Sequence, residues 1–384
     1  MAAPPLSAII LAAGEGKRMR SERPKPLHIL CGRPMLRYVL DALSDCPVQR
    51  AVVVVGHGAE RVTKMLHEDG PDLSIDHVEQ HVQRGTGDAV SVGLTGLDDD
   101  AGDLDGGDVL VLPGDTPLLR PATIAALVDE HHETGAAATL LSARVDDPTG
   151  YGRVVRGRDG GVRRIVEHAD ADDDERAIDE INTSIYCFRR SVLAPALRRL
   201  TPDDNAQGEY YLTDVIGVLH DAGYPVASLV AADPRETAGV NDRAQLAAAE
   251  SELRRRTAAG WLARGVTMVD PDRTYIDATV ELAPDVTLFP GTLLQGRTAV
   301  GRGSELGPDT RLVDCVVGAD CVVEQTVGRD AEIGDGAVVG PFASLEPGAQ
   351  VPAGARTGAF YTGRLAEPPA PGPGAPDDHR GGSG

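Results

Sequence analysis

Residues Leu6–Leu30 read LSAIILAAGEGKRMRSERPKPLHIL. The stretch from Leu6 to Ala13 is a short, nearly continuous apolar run, the pattern of a strand buried on both faces. Gly14-Glu15-Gly16 follow it, and Lys17, Arg18, Arg20, Arg23 and Lys25 crowd in behind. A strand that opens into such a loop is a candidate anion nest, because glycines let the backbone approach a ligand and successive N–H groups converge on it. A Walker A loop needs a glycine where Leu11 stands and a Ser or Thr where Arg18 stands, so that reading fails. A dinucleotide fingerprint needs a third glycine where Met19 stands. Two readings remain: a phosphate cradle served by Lys17, Arg18 and Lys25, and a tight turn whose cations face water.

The pattern continues outward to about Val145. The apolar runs AVVVVG, DVLVLPGD and AAATLLSARV alternate with MLRYVLDALSD, AERVTKMLHED and PATIAALVDEHHETG, whose apolar residues recur at helical spacing. This βα alternation predicts a Rossmann-like α/β fold with a mostly parallel sheet. Such sheets bind ligands beyond the carboxyl ends of their strands, so the residues that follow each run are the candidates. From Asp146 to about Asp233 the texture is less regular. Gly152–His168 reads as a hairpin turning at Asp159-Gly160-Gly161, EINTSIYCF reads as a strand, and DADDDER reads as a solvated acidic loop. VNDRAQLAAAESELRRRTAAGWLARG predicts a long helix.

After Gly265 an aliphatic or small residue recurs about every six positions, followed by Gly, Ala, Asp or Pro. This is a hexapeptide repeat and predicts a short left-handed parallel β-helix of roughly five coils. Cys315 and Cys321 are one repeat apart and fall on successive faces of a coil, which disfavours a metal pair. The chain thus divides into residues 1–240, a helical arm 241–265, a β-helix 266–357 and a Pro/Gly-rich tail 358–384 expected to be disordered.

A net charge of −22 over 384 residues argues against binding nucleic acid or an anionic membrane through the general field. Aromatics at 3% argue against base stacking on single strands. Any anionic ligand must then be held by local cations and a metal. Five cysteines without a CxxC pair read as buried hydrophobes of a reducing compartment, and no run reaches transmembrane length. The expected location is cytoplasmic.

Taken together, LAAGEGKRMRSERPKPLHILCGRPML resembles the signature of nucleotidylyltransferases. The closer resemblance is to the N-terminal half of the bacterial bifunctional N-acetylglucosamine-1-phosphate uridylyltransferase/glucosamine-1-phosphate acetyltransferase family. EQHVQRGTGDAV, VLPGDTPLL, DDPTGYGRVV, IVEH, EINTSIY, NAQGEYYLTDV and GVNDRAQL follow in that family's order and at compatible spacing. The resemblance implies transfer of UMP from UTP to a sugar-1-phosphate, with Mg²⁺. It implies a nucleotide pocket from Leu11, Ala12, Ala13, Gly14, Gln80 and Gly85, with Gln83 and Thr86 beside them. Arg18 and Lys25 would grip the triphosphate and stabilise the leaving charge. Asp115 and Asn241 would hold the metal, and Gly152, Glu167, Asn182 and Thr183 would form the sugar pocket. Read without the family, Asp115 is a turn aspartate and Asn241 a helix N-cap. Tyr210 and Tyr211 read as packing, and His131 and His132 as exposed residues on a helix tail.

The sequence departs from the family in two places. Lys17 stands where threonine is usual and would add a charge beside the phosphates. In the region matching the acetyltransferase site, Ser344 and Glu346 stand where arginines are expected and Ala359 where asparagine is. Acetyl transfer is therefore expected to be absent, with the β-helix acting as an assembly stem, a trimer being favoured. The competing functions are a uridylyltransferase for another amino sugar and a non-catalytic sugar-nucleotide-binding scaffold.

Overall fold

A computed structural model describes residues 4–44, 46–68, 73–97, 107–202 and 205–363. The elements of the first unit run β1 (Leu6–Leu11), β2 (Ile29–Leu30), β3 (Arg33–Pro34), α1 (Met35–Ser44), β4 (Val48–Val55), α2 (Ala59–Glu68), β5 (Ile75–Glu79), α3 (Thr86–Thr95), β6 (Asp108–Pro113), α4 (Pro121–Thr134) and β7 (Ala138–Arg144). They continue with β8 (Arg153–Arg156), β9 (Val162–Val166), α5 (Asp173–Arg176), β10 (Glu180–Arg189), α6 (Arg190–Leu197), α7 (Asp214–Asp221), β11 (Val226–Val230) and α8 (Arg243–Ala263).

The main sheet has the order β11-β7-β10-β6-β1-β4-β5, with the hairpin β8–β9 attached beside β10. β1 lies parallel to both β4 and β6, and β10 is antiparallel to β6 and β7. The mostly parallel sheet is thus as expected, with β10 inserted against its direction. Side chains alternate between two cores, as the pleat requires. Ala8, Ile10, Val53, Leu110 and Leu112 pack on one face, and Ile9, Val52, Val54, Val109 and Val111 on the other. Each fully buried aliphatic side chain contributes about 1.5–3 kcal/mol. This double burial explains why the strands read as unbroken apolar runs, and it holds the loops after β1 and β6 side by side.

The compact units are Met1–Leu253 and Arg254–Gly384, and their division falls inside α8, where the sequence suggested a separate arm. In the second unit three parallel ladders stack coil on coil. One ladder carries Leu288, Leu306, Val323 and Val339 inward, and another Leu282, Val300, Val317, Ile333 and Val351. This is the expected β-helix. Val316 and Val322, next to Cys315 and Cys321, lie in different ladders, in keeping with successive faces. The stack continues past residue 357: Thr362–Gly363 pairs with Ser344–Leu345, so the expected tail begins with an ordered strand. Residues 364–384 lie outside the described residues.

Two further expectations need correction, and one unassigned stretch is an element. DADDDER is not a plain loop: Asp172 and Glu175 form a reciprocal capping box that starts α5. His131 is buried, its ring turned toward Asp108 at the head of β6, whereas His132 is exposed as expected although its ring also reaches Asp108. GTGDAVSVGLTG, unassigned by its pattern, is α3; its small residues pack against the sheet, as where Gly93 meets Ile9 and Val54. Among the described residues no helix is long and apolar enough to cross a membrane.

Candidate active site

Beyond the carboxyl ends of β1 and β6 lies a cleft of about 490 Å³, and every site residue named from the sequence except Lys17 lines it. The glycine loop forms its floor. Gly16 has a left-handed backbone (φ 65°), and a Cβ there would sit 2.8 Å from Lys25 Cβ. Glycine is therefore needed for the loop to lie against the Lys25 stem. Arg18, in the single turn Lys17–Met19, is exposed and forms no hydrogen bond or ion pair among the described residues. Its guanidinium is free to meet a ligand. Lys17 differs from expectation: it points to water, pairs with Glu15 at 3.1 Å and does not line the cleft.

One wall is set by Gln80 and Gln83. The Gln83 side-chain nitrogen donates to the Ala13 carbonyl at 2.6 Å, tying this wall to the glycine loop. The Gln80 nitrogen donates to Asp88 Oδ2 at 2.7 Å and to the Gly85 carbonyl at 3.3 Å. A carboxylate only accepts, so Asp88 fixes the amide orientation and leaves its oxygen for a ligand N–H. Sequence reasoning passed over Asp88, although it stands in the quoted GTGD motif. Gly85 (φ 111°) would place a Cβ 2.6 Å from the Tyr210 carbonyl. That close approach lets Tyr210 bond to Arg84 and Gly87 through its backbone, while Thr86 Oγ1 accepts from Leu212 N–H at 3.0 Å. The Thr86 hydroxyl is thus engaged in closing the wall, and the tyrosines pack, Tyr211 buried and Tyr210 half-buried.

The opposite wall comes from β8–β10. Asn182 N–H donates to the Gly152 carbonyl at 2.8 Å, and Asn182 Oδ1 accepts from Ser184 N–H at 3.2 Å. Gly152 leaves room for Glu167, whose Oε2 would lie 3.5 Å from a Cβ at that position. Burial pushes the Glu167 carboxyl up, Asp214 and Asp170 add to the rise, and a hydrogen bond from Thr213 at 3.1 Å opposes it. Thr183 is present but turned away: its hydroxyl donates to the Leu141 carbonyl at 2.7 Å. Arg153 is buried at 1% exposure under this wall, donating to the Tyr151 carbonyl and forming no ion pair among the described residues. It holds the turn that presents Gly152.

At the far end, Asp115 follows β6, and Val240 N–H donates to the Asp115 carbonyl at 2.9 Å. This bond brings in the segment before α8. The N-cap of α8 is Asp242, which accepts from Gln245 N–H at 2.8 Å, and not Asn241. The Asn241 side chain is thereby released toward the cleft. Lys25 Nζ donates to Asp115 Oδ2 and, at 2.8 Å, to Asn241 Oδ1. The ammonium stands where a cation would sit between two hard oxygen donors, so the donor set fits a divalent metal of that class. Gly239 keeps the adjoining space open, since its Cβ would lie 3.6 Å from Asp115 Oδ1 and 3.7 Å from Asn241 Nδ2.

Comparison with known proteins adds a second line of observation. Residues 8–216 match the model of the MobA-like NTP transferase domain. The chain is 46% identical over 312 residues to the bifunctional protein GlmU of Brevibacillus brevis, covering 81% of this chain and 65% of that one. It is 47% identical over 314 residues to the protein of that name from Thermobifida fusca, with 82% and 64% covered. For the Streptomyces coelicolor protein the identity is 48% over 316 residues, with the same coverages of 82% and 64%. The chain therefore spans just under two thirds of the length of these relatives.

Proposed function

The chain belongs to the MobA-like NTP transferase family and is a relative of the bifunctional GlmU proteins, and from that premise we propose that it transfers UMP from UTP to N-acetylglucosamine-1-phosphate. The products are UDP-N-acetylglucosamine and pyrophosphate. The observation that carries the reading is the convergence in one cleft of a cationic glycine loop, an oriented amide wall and an acid–amide pair. A phosphate oxygen of the sugar attacks the α-phosphorus, the bond to the bridging oxygen breaks, and pyrophosphate takes the electron pair. No nucleophilic side chain is required; positioning and charge neutralisation do the chemistry.

Each residue has a role in this scheme. The backbone of Leu11–Gly14 and Gly85 and the oriented oxygen of Gln80 hold the uracil, with Gln83 and Thr86 fixing the walls. Arg18 and Lys25 meet the phosphates and stabilise charge on the leaving pyrophosphate. Asp115 and Asn241 would hold Mg²⁺, which when bound supplies further neutralisation of phosphate charge. Glu167, Asn182 and the turn at Gly152 take the sugar, and Thr183 supports them through its hydroxyl bond to the Leu141 carbonyl.

The reading extends to a cytoplasmic trimer built through the β-helix, without acetyl transfer at Ser344, Glu346 and Ala359. Exposed Val327 and the stacked pair Phe342–Phe360, 5.3 Å apart, support an assembly face on that unit. Initial rates of pyrophosphate release with UTP and Mg²⁺ test the acceptor. N-acetylglucosamine-1-phosphate should be used fastest among it, glucosamine-1-phosphate and glucose-1-phosphate. Preference for another sugar phosphate overturns the acceptor and keeps uridylyl transfer.

A further inference from the structure

We propose that the Lys25 ammonium and a divalent cation compete for the same two oxygens, Asp115 Oδ2 and Asn241 Oδ1, so that the free protein resists bare metal until a triphosphate draws Lys25 away. The inference rests on Asp115 and Asn241 being the metal ligands of the reading above. The geometry is specific. Lys25 bridges both side chains while its own is 13% exposed and that of Asp115 23% exposed, so little water screens the contact. Two cations cannot share those oxygens: at contact distance their repulsion would remove the benefit of either.

Charge decides which state the free protein adopts. With Lys25 in place, the carboxylate is neutralised by the ammonium, and an arriving metal meets no net negative charge. With Lys25 gone, the same pair presents one uncompensated carboxylate and a neutral amide oxygen, a weak but real site for a hard cation. Lysine suits this exchange. Its charge is a point at the end of a flexible four-carbon stem, where an arginine would hold the carboxylate in a rigid fork. The stem lies against Gly16 in the floor of the cleft, and Arg18 beside it has no protein partner among the described residues. A polyanion on the glycine loop therefore offers Lys25 an alternative partner with more charge than Asp115. Its departure exposes the metal pair when the phosphates that complete the metal's coordination arrive.

Mn²⁺ binding tests this without turnover. Loss of the free Mn²⁺ electron paramagnetic resonance signal is followed on titration of nucleotide-free protein. Lys25→Met should bind Mn²⁺ at least about tenfold more tightly than the wild-type protein, a difference of ~1.4 kcal/mol. Adding Asp115→Asn to that variant should abolish the gain. Lys25→Gln, which keeps a donor toward Asp115, repeats the comparison with less disturbance, and circular dichroism verifies that each variant is folded. Equal or weaker Mn²⁺ binding by both folded Lys25 variants overturns the competition. A second arm separates this from failure of the functional reading. With UTP present, wild-type protein should immobilise Mn²⁺, seen as enhanced water-proton relaxation that Asp115→Asn removes. Absence of that enhancement would sink the metal site itself, and the competition with it.

Discussion

Glu167 carries opposite demands at one carboxyl group. Burial raises its proton affinity, with Asp214 and Asp170 adding to the rise, and Thr213 only partly offsets it. A raised folded-state value means that the native protein binds more protons than the unfolded chain across the window above the ordinary carboxylate range. Stability therefore falls as pH rises through that window. Glu167→Gln should melt at a higher temperature than wild type at pH 7, and the gap should close below the ordinary carboxylate range. The same variant should lose about ten- to a hundredfold in kcat/KM for the sugar phosphate, the ~1.5–3 kcal/mol of a charge-assisted hydrogen bond. Scanning calorimetry across pH and steady-state kinetics check the two halves. Arg18→Ala should cost about 2.7–4 kcal/mol in the transition state, chiefly in kcat, if Arg18 stabilises the leaving pyrophosphate. A loss under about threefold would remove it from that role. These residues were legible because they stand in motifs with chemistry of their own. Asp88 was not, since its service is to orient Gln80 and only the fold reveals the contact. Lys17 was over-read: its charge is spent on Glu15 at the surface.

At the scale of elements, β6 links a structural end to a chemical one. Asp108 starts the strand and Asp115 follows its end. Burial alone would raise the Asp108 carboxyl, but hydrogen bonds and charge from His131 and His132 outweigh it and hold the group below its ordinary value. His131 in turn bonds Thr139 at 2.9 Å, so α4, β6 and β7 are tied at one point. A lowered value contributes stability above the ordinary carboxylate range, lost as pH falls through the folded-state value. Asp108→Asn should destabilise the protein by about 1–3 kcal/mol near neutral pH, with the deficit shrinking in acid, as denaturant melts at several pH values would register. His131 read as exposed because it ends a helix whose amphipathic pattern is weak, and sequence spacing alone does not say that Asp108 waits beneath it. β1, β4, β6 and β7 were readable because strands buried on both faces leave unbroken apolar runs. α3 was not, because three of its four buried residues are Gly87, Ala89 and Gly93, which carry little hydrophobic signal and leave Val90 to mark the inward face alone. The Asn241 side chain became available by a detail of capping: Asp242 takes the helix end.

For the whole molecule, a chain of net charge −22 carries a cleft whose floor presents Arg18 and Lys25, and the two fit if a cation accompanies each anionic ligand. The two-part organisation was visible in the change from βα alternation to hexapeptide spacing. The division inside α8 was not, because a continuous helix carries no break in periodicity where one core ends and another begins. On the proposed function, this cleft joins a nucleotide to a sugar phosphate. The most direct measurement is ³¹P magnetic resonance of UTP and N-acetylglucosamine-1-phosphate with Mg²⁺, run in parallel on the wild-type protein and Asp115→Asn. The wild-type protein should convert the triphosphate and monoester signals into a diphosphodiester pair and pyrophosphate, and the variant should not. Hydrolysis of UTP to UDP and phosphate, no conversion by the folded wild-type protein, or equal conversion by the variant would contradict the proposed function.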